Sequence, residues 1–332
     1  MGGRPAAQRP LIVRRAPARV AAEGLYGPGS AGWRYNREAT LLLGAGPRAL
    51  LLQVAHPLVA EGVAQHSDFR ADPWGRLAGT LRSYLRIVYG TPAAARAEVT
   101  RLNRLHARVT GPVTDPDAAA AHGTRYRALD PALSLWVHAT LIDSLLVAND
   151  RWATALTPGE RERFYAETRP VGRAFGVPDD LLPRDIHAFD AYVASMLAPD
   201  GPVHPSPIAR ELAPSILQPP LEGVVGGRVE ALIGPVAPAV RRVLAAVPQP
   251  AVDALLLPAV GLLPARTREE YGLRWGPAER AIDAWLVTAW RFWMPRVPAS
   301  LRWFPQALAA DARAGEAAKA ARAARAASAG AS

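Results

Sequence analysis

Apolar residues recur at helical spacing along most of the chain, and many prolines stand directly after an Asp or Thr, where a helix start tolerates them. Period-two alternation of β-branched residues is almost absent, so strands are not expected. The pattern predicts an all-α, multi-helix bundle. The predicted helices cover residues 36–65 with a break at 44–47, 72–90, 91–111, 131–149, 158–175, 184–198, 206–217, 235–246, 249–257 and 277–294.

Two of these helices form a predicted hairpin. Asp72 and Thr91, each followed by proline, are helix-start signals. Gly90 and Gly111 are the corresponding stop signals. The connection between the two helices is too short for anything but a tight turn, so they are expected to run antiparallel, with positions equally far from the turn lying side by side.

This hairpin brings three polar side chains to one level. Arg76 lies fourteen residues before Gly90, and His106 lies fifteen residues after Thr91. At ~1.5 Å of rise per residue, both are roughly 21 to 23 Å from the turn. Thr80 is one turn along the same face from Arg76. A cation, a hydroxyl and an imidazole are therefore expected to converge.

Several ordered motifs give the chain a family resemblance. They are the pair Arg37-Glu38, the long segment LLLGAGPRALLLQVAHPLVAEGVAQHSDFRADPWGRLAGTLRSYLRIVYGT, and the shorter segments LHARVTG and LDPALSLWVHATLIDSLL. Through them the chain resembles the family that includes latex-clearing rubber oxygenases and fungal MpaB oxygenases. The resemblance runs from about Trp33 to Phe304.

The resemblance implies a haem-b-dependent oxygenase. In the family's rubber oxygenases one histidine holds the haem iron, with an arginine and a threonine four residues apart nearby; by motif these resemble His106, Arg76 and Thr80. It implies O₂ activation against an apolar, terpenoid or lipid-like substrate, by C=C cleavage or hydroxylation. The rubber-cleaving members carry lysine directly before that threonine, where this chain has Gly79. This departure weakens the case for a lysine-dependent distal arrangement and for polyisoprene as substrate.

Each site residue also has an ordinary structural reading. Arg76 is a candidate for pairing with a haem propionate or a bound oxygen species, or for a plain salt bridge to Glu61 or Asp72. The Thr80 hydroxyl is a donor to bound O₂ or to its own helix backbone. Glu61, in the segment HPLVAEGVAQH, is the nearest candidate catalytic base, or it simply faces water.

The remaining histidines are less distinctive. His138 shares a helical face with apolar residues, so burial is expected; a second iron ligand, a distal proton donor and a packed histidine are all open roles for it. His56 and His66 are expected to cap and pack helices. No role is assigned to His122, His187 or His204. The sequence holds no HExxH motif and no carboxylate-rich helix pair, which disfavours zinc and di-iron centres.

Composition narrows the function classes. The chain has 332 residues, half of them apolar, and no linker is evident, so one domain over residues 31–306 is predicted, with an Arg/Pro-rich arm at 1–30 and an Ala/Arg-rich tail at 307–332. The absence of cysteine excludes disulfides, thiolate haem ligation and iron–sulfur clusters. The net charge of +10 comes from arginines spread along the chain, with Lys319 the sole lysine, so nucleic acid is not an expected partner.

Targeting signals are weak. Arg14-Arg15 lacks the apolar run that a twin-arginine export signal needs. No stretch reaches the ~20 apolar residues that span a bilayer; the best is AVDALLLPAVGLLP, which contains Pro258. A soluble, cytoplasmic protein without stable membrane insertion is expected, with peripheral membrane association left open. The electron donor is not assigned.

Two function classes other than an oxygenase stay open. One is a haem- or lipid-binding helical protein without turnover. The other, weaker, is a nucleotide-dependent oxidoreductase, because Gly44 to Ala49 (GAGPRA) fits the dinucleotide fingerprint. The second strand of such a fold, which ends in an acidic residue that binds the ribose, is missing after this segment. The glycines are therefore interpreted as points of close helix contact or a kink.

Aromatic residues concentrate in the last third of the chain. They are Trp275, Trp285, Trp290, Phe292, Trp293, Trp303 and Phe304. Core and inter-helix packing is the favoured role, and the wall of an apolar substrate tunnel is a secondary role for one or two of them.

Overall fold

A computed structural model describes residues 25–67, 72–153, 155–217 and 257–329. The all-α prediction is confirmed, since one two-stranded sheet is the only sheet within these ranges. The helices are α1 (Ala31–Tyr35), α2 (Ala39–Ala55), α3 (Pro57–His66), α4 (Pro73–Tyr89), α5 (Pro92–His106), α6 (Pro116–His122), α7 (Pro131–Trp152), α8 (Pro158–Ala174), α9 (Ile186–Met196), α10 (Pro207–Leu217), α11 (Ala265–Glu270), α12 (Pro277–Trp293), α13 (Ala299–Arg302) and α14 (Pro305–Ala329). Residues 257–261 and Met294–Arg296 are also helical. The helices predicted at 235–246 and 249–257 lie outside the described residues, apart from the last position of the second.

Four helices start at the predicted Asp-Pro and Thr-Pro signals, and the short helix α6, which was not predicted, starts in the same way at Asp115. In each, the cap side chain accepts a hydrogen bond from a backbone N–H of the first turn, and proline follows it. The caps are Asp72, Thr91, Asp115, Asp130 and Thr157. Thr157 and Glu160 complete a capping box at α8. These local signals place the helix starts correctly.

The predicted break near residues 44–47 is wrong. Helix α2 runs through Pro47 without interruption, and the chain breaks instead at His56, which has extended backbone dihedrals before Pro57. A residue that precedes proline is disfavoured in the helical region, which explains the break at His56. The contact of Gly44 with the ring of Trp152 packs α2 onto α7, and this packing outweighs the hydrogen bond that Pro47 lacks.

The predicted end of α5 at Gly111 is also wrong. The helix ends at His106, and Thr110–Pro112 forms strand β1, which pairs antiparallel with β2 (Arg125–Arg127). This pairing joins segments separated by α6, so the local apolar period does not reveal it. His106 consequently lies in the last turn of α5.

Helix α7 is the centre of the bundle. It packs along α2 and contacts α8, α9 and α12, and most of its side chains are buried. Contrary to the sequence prediction, α7 is long and apolar enough to cross a membrane, but 61% of its most apolar window is buried inside the structure. This burial is what a core helix of a soluble protein shows.

A buried ion pair fastens α2 to α7. Arg48 and Asp143 lie with Nη1 and Oδ2 2.6 Å apart. The Arg48 guanidinium also donates to Ser144 Oγ at 2.8 Å and to the carbonyl of Leu262 at 2.7 Å. The pair therefore fixes three segments at one point in the core.

A second cluster holds the α4–α5 hairpin against the bundle. Helix α4 packs on α1 and on the first turns of α14. Tyr89 donates to the carbonyl of Trp33 at 2.7 Å, and the Trp33 indole donates to Asp311 Oδ1 at 2.6 Å. Ala307 and Ala310, from the predicted tail, are fully buried here. The start of that tail thus belongs to the core that supports the hairpin.

Candidate functional site

The α4–α5 hairpin brings Arg76 and His106 together. Arg76 lies in the first turns of α4 and His106 in the last turn of α5, at the end of the hairpin remote from the connection at Gly90. The pKa of His106 is lowered by burial, then by the positive charges of Arg76 and Arg101. Its half-buried imidazole is therefore held toward the neutral form, with a ring-nitrogen lone pair that can bind a metal.

Arg76 carries no ion pair among the described residues, so neither Glu61 nor Asp72 neutralises it. Its Nε donates to Ser67 Oγ at 3.0 Å, at the C-terminal end of α3. The side chain stays accessible to solvent, yet surrounding protein atoms lower its pKa by desolvation. An arginine remains a cation after such a shift, and no carboxylate within the described ranges pairs with this charge.

Thr80 lies one turn further along α4 and is exposed. Its hydroxyl donates to the carbonyl oxygen of Arg76 at 3.0 Å, the backbone alternative considered for it. The hydroxyl oxygen keeps acceptor capacity. Gly79 precedes it, and a Cβ at Gly79 would meet no atom within 4 Å. There is open space beside this stretch of α4.

An unsatisfied acceptor lies one turn before His106. Asn103 Nδ2 donates to the carbonyl of Ala174 at 2.9 Å, which ties α5 to the end of α8. Its Oδ1 is buried and has no partner in the described structure. Because positions three apart share a helix face, Asn103 and His106 project on one side of α5. This buried oxygen is free to accept a hydrogen bond.

Glu61 is a structural carboxylate in this arrangement. It is 1% exposed, so the expectation that it might face water is wrong. Its oxygens accept from the backbone N–H of Thr114 at 2.5 Å and of Asp115 at 2.9 Å, and from Gln65 Nε2 at 2.8 Å. These bonds hold the loop that enters α6, and they occupy the carboxylate as an acceptor.

His138 contacts α8. Its pKa is lowered to about 4 by burial, and a hydrogen bond to the backbone of Thr168 opposes that shift. Its Nε2 has no partner among the described residues and faces Gly172, 3.2 Å from where a Cβ would stand. Within the described part of the chain, its polar and close contacts are with α8 and not with the hairpin. These contacts favour the packed-histidine role.

His56 and His66 cap and pack helices, as predicted. His56 Nδ1 accepts from the N–H of Leu58 at 3.3 Å and caps α3. His66 Nε2 lies 3.2 Å from the carbonyl oxygen of Thr110. In the described ranges no group of three or more His, Cys, Asp or Glu side chains could hold a metal ion. A metal bound through a cofactor needs fewer protein ligands.

The dinucleotide alternative lacks its loop. A fingerprint of this type needs a strand, a tight glycine turn and a helix start. Gly44 to Ala49 instead lie inside α2. A Cβ at Gly44 would overlap the ring of Trp152, so the close-contact reading of this glycine is confirmed. Gly46 has no neighbour within 4 Å of a Cβ and makes no such contact.

The late aromatic residues divide into two groups. Phe304 is buried, and the tilted rings of Trp290 and Trp152 have centroids 5.6 Å apart. Trp275 packs against the core beneath Arg268, and Trp303 lies beneath Arg37. Packing is thus confirmed for these. It is wrong for three others, which are exposed on α12: Trp285, Phe292 and Trp293.

Sequence reasoning missed three contributors to the site, namely Ser67, Arg101 and Asn103. A signal existed for Asn103, because its spacing of three residues before His106 places both on one face of α5. Ser67 follows His66 in a quoted motif, but its bond to Arg76 depends on how α3 meets α4. Such a contact between elements leaves no local pattern.

Comparison with known proteins gives one match. The family model described as ER-bound oxygenase mpaB/B'/Rubber oxygenase, catalytic domain, matches residues 33–326. No curated protein and no solved structure matches the chain.

Proposed function

The chain belongs to the mpaB/rubber oxygenase catalytic domain family, and this membership supports an oxygenase activity in general. We propose that the protein is a haem-b-dependent oxygenase that acts on an apolar substrate. The observation that carries the proposal is the pairing of His106 with Arg76. An imidazole held toward its neutral form and a guanidinium with no carboxylate partner in the described part of the chain lie together at the open end of the α4–α5 hairpin. Haem offers a partner to each, as an iron that binds imidazole and propionates that bind arginine.

The surroundings fit such a group. The His106 ring makes no hydrogen bond to any described residue, so its lone pair is not already occupied. The open space at Gly79 leaves room beside Arg76 and Thr80. His106 would ligate the iron, and Arg76 would hold a propionate. When bound, haem supplies the iron that binds and activates O₂.

The protein side chains would then set the polarity of the pocket. Arg76 provides a fixed positive charge that favours anionic groups near it. Thr80 and Asn103 offer acceptor oxygens, and Asn103 Oδ1 does so from a buried position. A hydroxyl or N–H group of a bound molecule would satisfy that oxygen, which otherwise stays unpaired at a cost of roughly 1–3 kcal/mol.

Family membership and Gly79 support the proposed substrate class. Gly79 stands before Thr80, where the rubber-cleaving members carry lysine, so an apolar terpenoid or lipid-like molecule other than polyisoprene is the proposed substrate. Cleavage of a C=C bond and hydroxylation are the two reactions considered. The electron donor is not part of the proposal.

The test is O₂ uptake by the haem-loaded, reduced protein with an added isoprenoid. Arg76→Gln should reduce uptake while the protein keeps its haem, and Arg108→Gln, an exposed arginine beyond α5, is the matched control. Uptake by the parent that the control retains and the Arg76 variant loses supports the proposal. Haem binding without substrate-dependent uptake would favour the non-catalytic haem-binding alternative instead.

A further inference from the structure

The outward pole of α12 is apolar. The buried side chains of this helix are Asp283 and Val287, with Trp290 half-buried beside them. At 100° per residue, Trp285 and Phe292 lie opposite the buried side, and Ile282 and Trp293 lie about a quarter turn to one side of them. These four are 40%, 68%, 52% and 60% exposed. A surface helix normally presents polar residues there, so this aromatic face is unusual.

Arginines flank the aromatic face. Arg291 and Arg296 are both exposed, and neither forms an ion pair among the described residues. The Arg296 guanidinium lies 3.9 Å from the centroid of the Phe292 ring and donates to the Phe292 carbonyl. The face therefore joins apolar rings to free positive charge.

Both acidic residues of α12 are engaged by partners within the protein. Its only two acids are Glu279 and Asp283. Glu279 accepts from the N–H of Gly276 in the capping box, and Asp283 is 1% exposed and pairs with Arg151. The exposed charge around the aromatic face is thus positive, in a chain with a net charge of +10.

We propose that the aromatic face of α12, defined by Ile282, Trp285, Phe292 and Trp293, docks the protein on an anionic lipid bilayer. Tryptophan and phenylalanine side chains partition into the boundary between headgroups and acyl chains. Arg291 and Arg296 would pair with lipid phosphates at the same level. The docking does not depend on the proposed haem chemistry.

A second copy of the chain fits this face less well. A two-fold dimer would set the same face against itself and bring its arginines together. The three exposed aromatic side chains offer on the order of 400 Å², from typical aromatic side-chain areas, whereas a standard interface buries about 800 Å² on each partner. A bilayer needs no such area and supplies the complementary negative charge.

Vesicle sedimentation tests the proposal with the full-length chain. The parent should sediment with vesicles of phosphatidylcholine and phosphatidylserine and much less with phosphatidylcholine alone. The double change Trp285→Ser and Trp293→Ser should weaken partitioning more than about tenfold. Arg291→Gln should weaken it about fivefold, the effect expected of one arginine near such a surface.

Matched controls lie elsewhere on the surface. Leu181→Ser replaces a leucine that is 45% exposed, and Arg184→Gln replaces an exposed arginine; both should sediment like the parent. Circular dichroism checks that every variant folds. Failure of the parent to sediment, or equal sedimentation of the double variant, would overturn the proposal. The proposal would also be overturned if the parent did not bind vesicles and formed a dimer in analytical ultracentrifugation that the double variant did not form.

Discussion

Arg76 and His106 stand on opposite arms of one helical hairpin, and the charge of the first lowers the pKa of the second. Burial is the largest cause of the lowered pKa, and the neighbouring cation adds to it, so His106 is held toward its neutral form. Arg76 in turn has no carboxylate partner among the described residues. Each side chain is left ready to bind an external group, which is the basis of the proposed haem site.

Arg76→Met should raise the pKa of His106. Removing the guanidinium removes the larger of two repulsive charges, while burial of the imidazole persists. Arg101→Met should raise it as well, but less, because Arg101 contributes the smaller repulsion. A titration of the histidine ring signals by NMR in the haem-free protein measures both shifts. An unchanged His106 pKa in Arg76→Met would contradict the pairing.

Gly44→Ala and Gly46→Ala should have opposite effects on stability. Both glycines are inside α2, where alanine is intrinsically preferred by about 0.5–1 kcal/mol. A Cβ at Gly46 meets nothing, so that variant should gain this amount. A Cβ at Gly44 collides with the buried ring of Trp152, which should cost about 1–3 kcal/mol. Urea unfolding measures both; equal effects would refute the close contact between α2 and α7.

Arg48→Met should destabilise the fold by about 3–5 kcal/mol, because it leaves Asp143 in the core without its cation. Arg173→Met is the matched comparison, since Arg173 and Asp179 form an ion pair on the surface. Its loss should cost no more than about 1 kcal/mol. Thermal or urea unfolding of the two variants separates the cases, and similar losses would show that the Arg48 pair is not a core element.

Stability should fall as the pH drops from 6.5 toward 4. Burial lowers the pKa of both His56 and His138 to about 4, below the usual 6.5. The unfolded chain therefore takes up these protons first, and each histidine costs about 1.4 kcal/mol per pH unit within that window. Above pH 6.5 both histidines are largely neutral in the folded and the unfolded chain, so they no longer reduce the free energy of unfolding.

His138→Gln should flatten this dependence, since one of the two titrating groups is gone. Glutamine can still donate to the backbone of Thr168. Unfolding free energies at pH 7 and pH 5 give the slope for each protein. If the parent and the variant lose stability equally over this range, His138 is not buried in its neutral form.

The sequence predicted the hairpin because its determinants are local. Asp72 and Thr91 fix two helix starts, and the short turn at Gly90 leaves only an antiparallel arrangement. Helical rise then sets Arg76 and His106 at one level. Each step depends on neighbours in the chain, so no knowledge of the remaining fold was needed.

The errors have tertiary causes. Helix α2 continues through Pro47 because it packs along α7, and α5 stops at His106 because Thr110–Pro112 pairs with Arg125–Arg127. Glu61 is buried because the loop at Thr114 folds over it. The exposed aromatic face of α12 ran against the general tendency of aromatic residues to pack. The periodic pattern of a single sequence does not reveal which elements pack together, so it does not show which side of α12 is left exposed.

The most direct test of the central claim is the visible absorption spectrum of the protein purified from cells supplied with a haem precursor, compared with that of His106→Ala. The parent should show a Soret band that the variant lacks, while circular dichroism shows both to be helical and folded. His66→Ala is the matched control and should keep the band, since that histidine bonds the backbone of Thr110. A colourless, folded parent under full haem supply, or a band that survives in His106→Ala, would contradict the account.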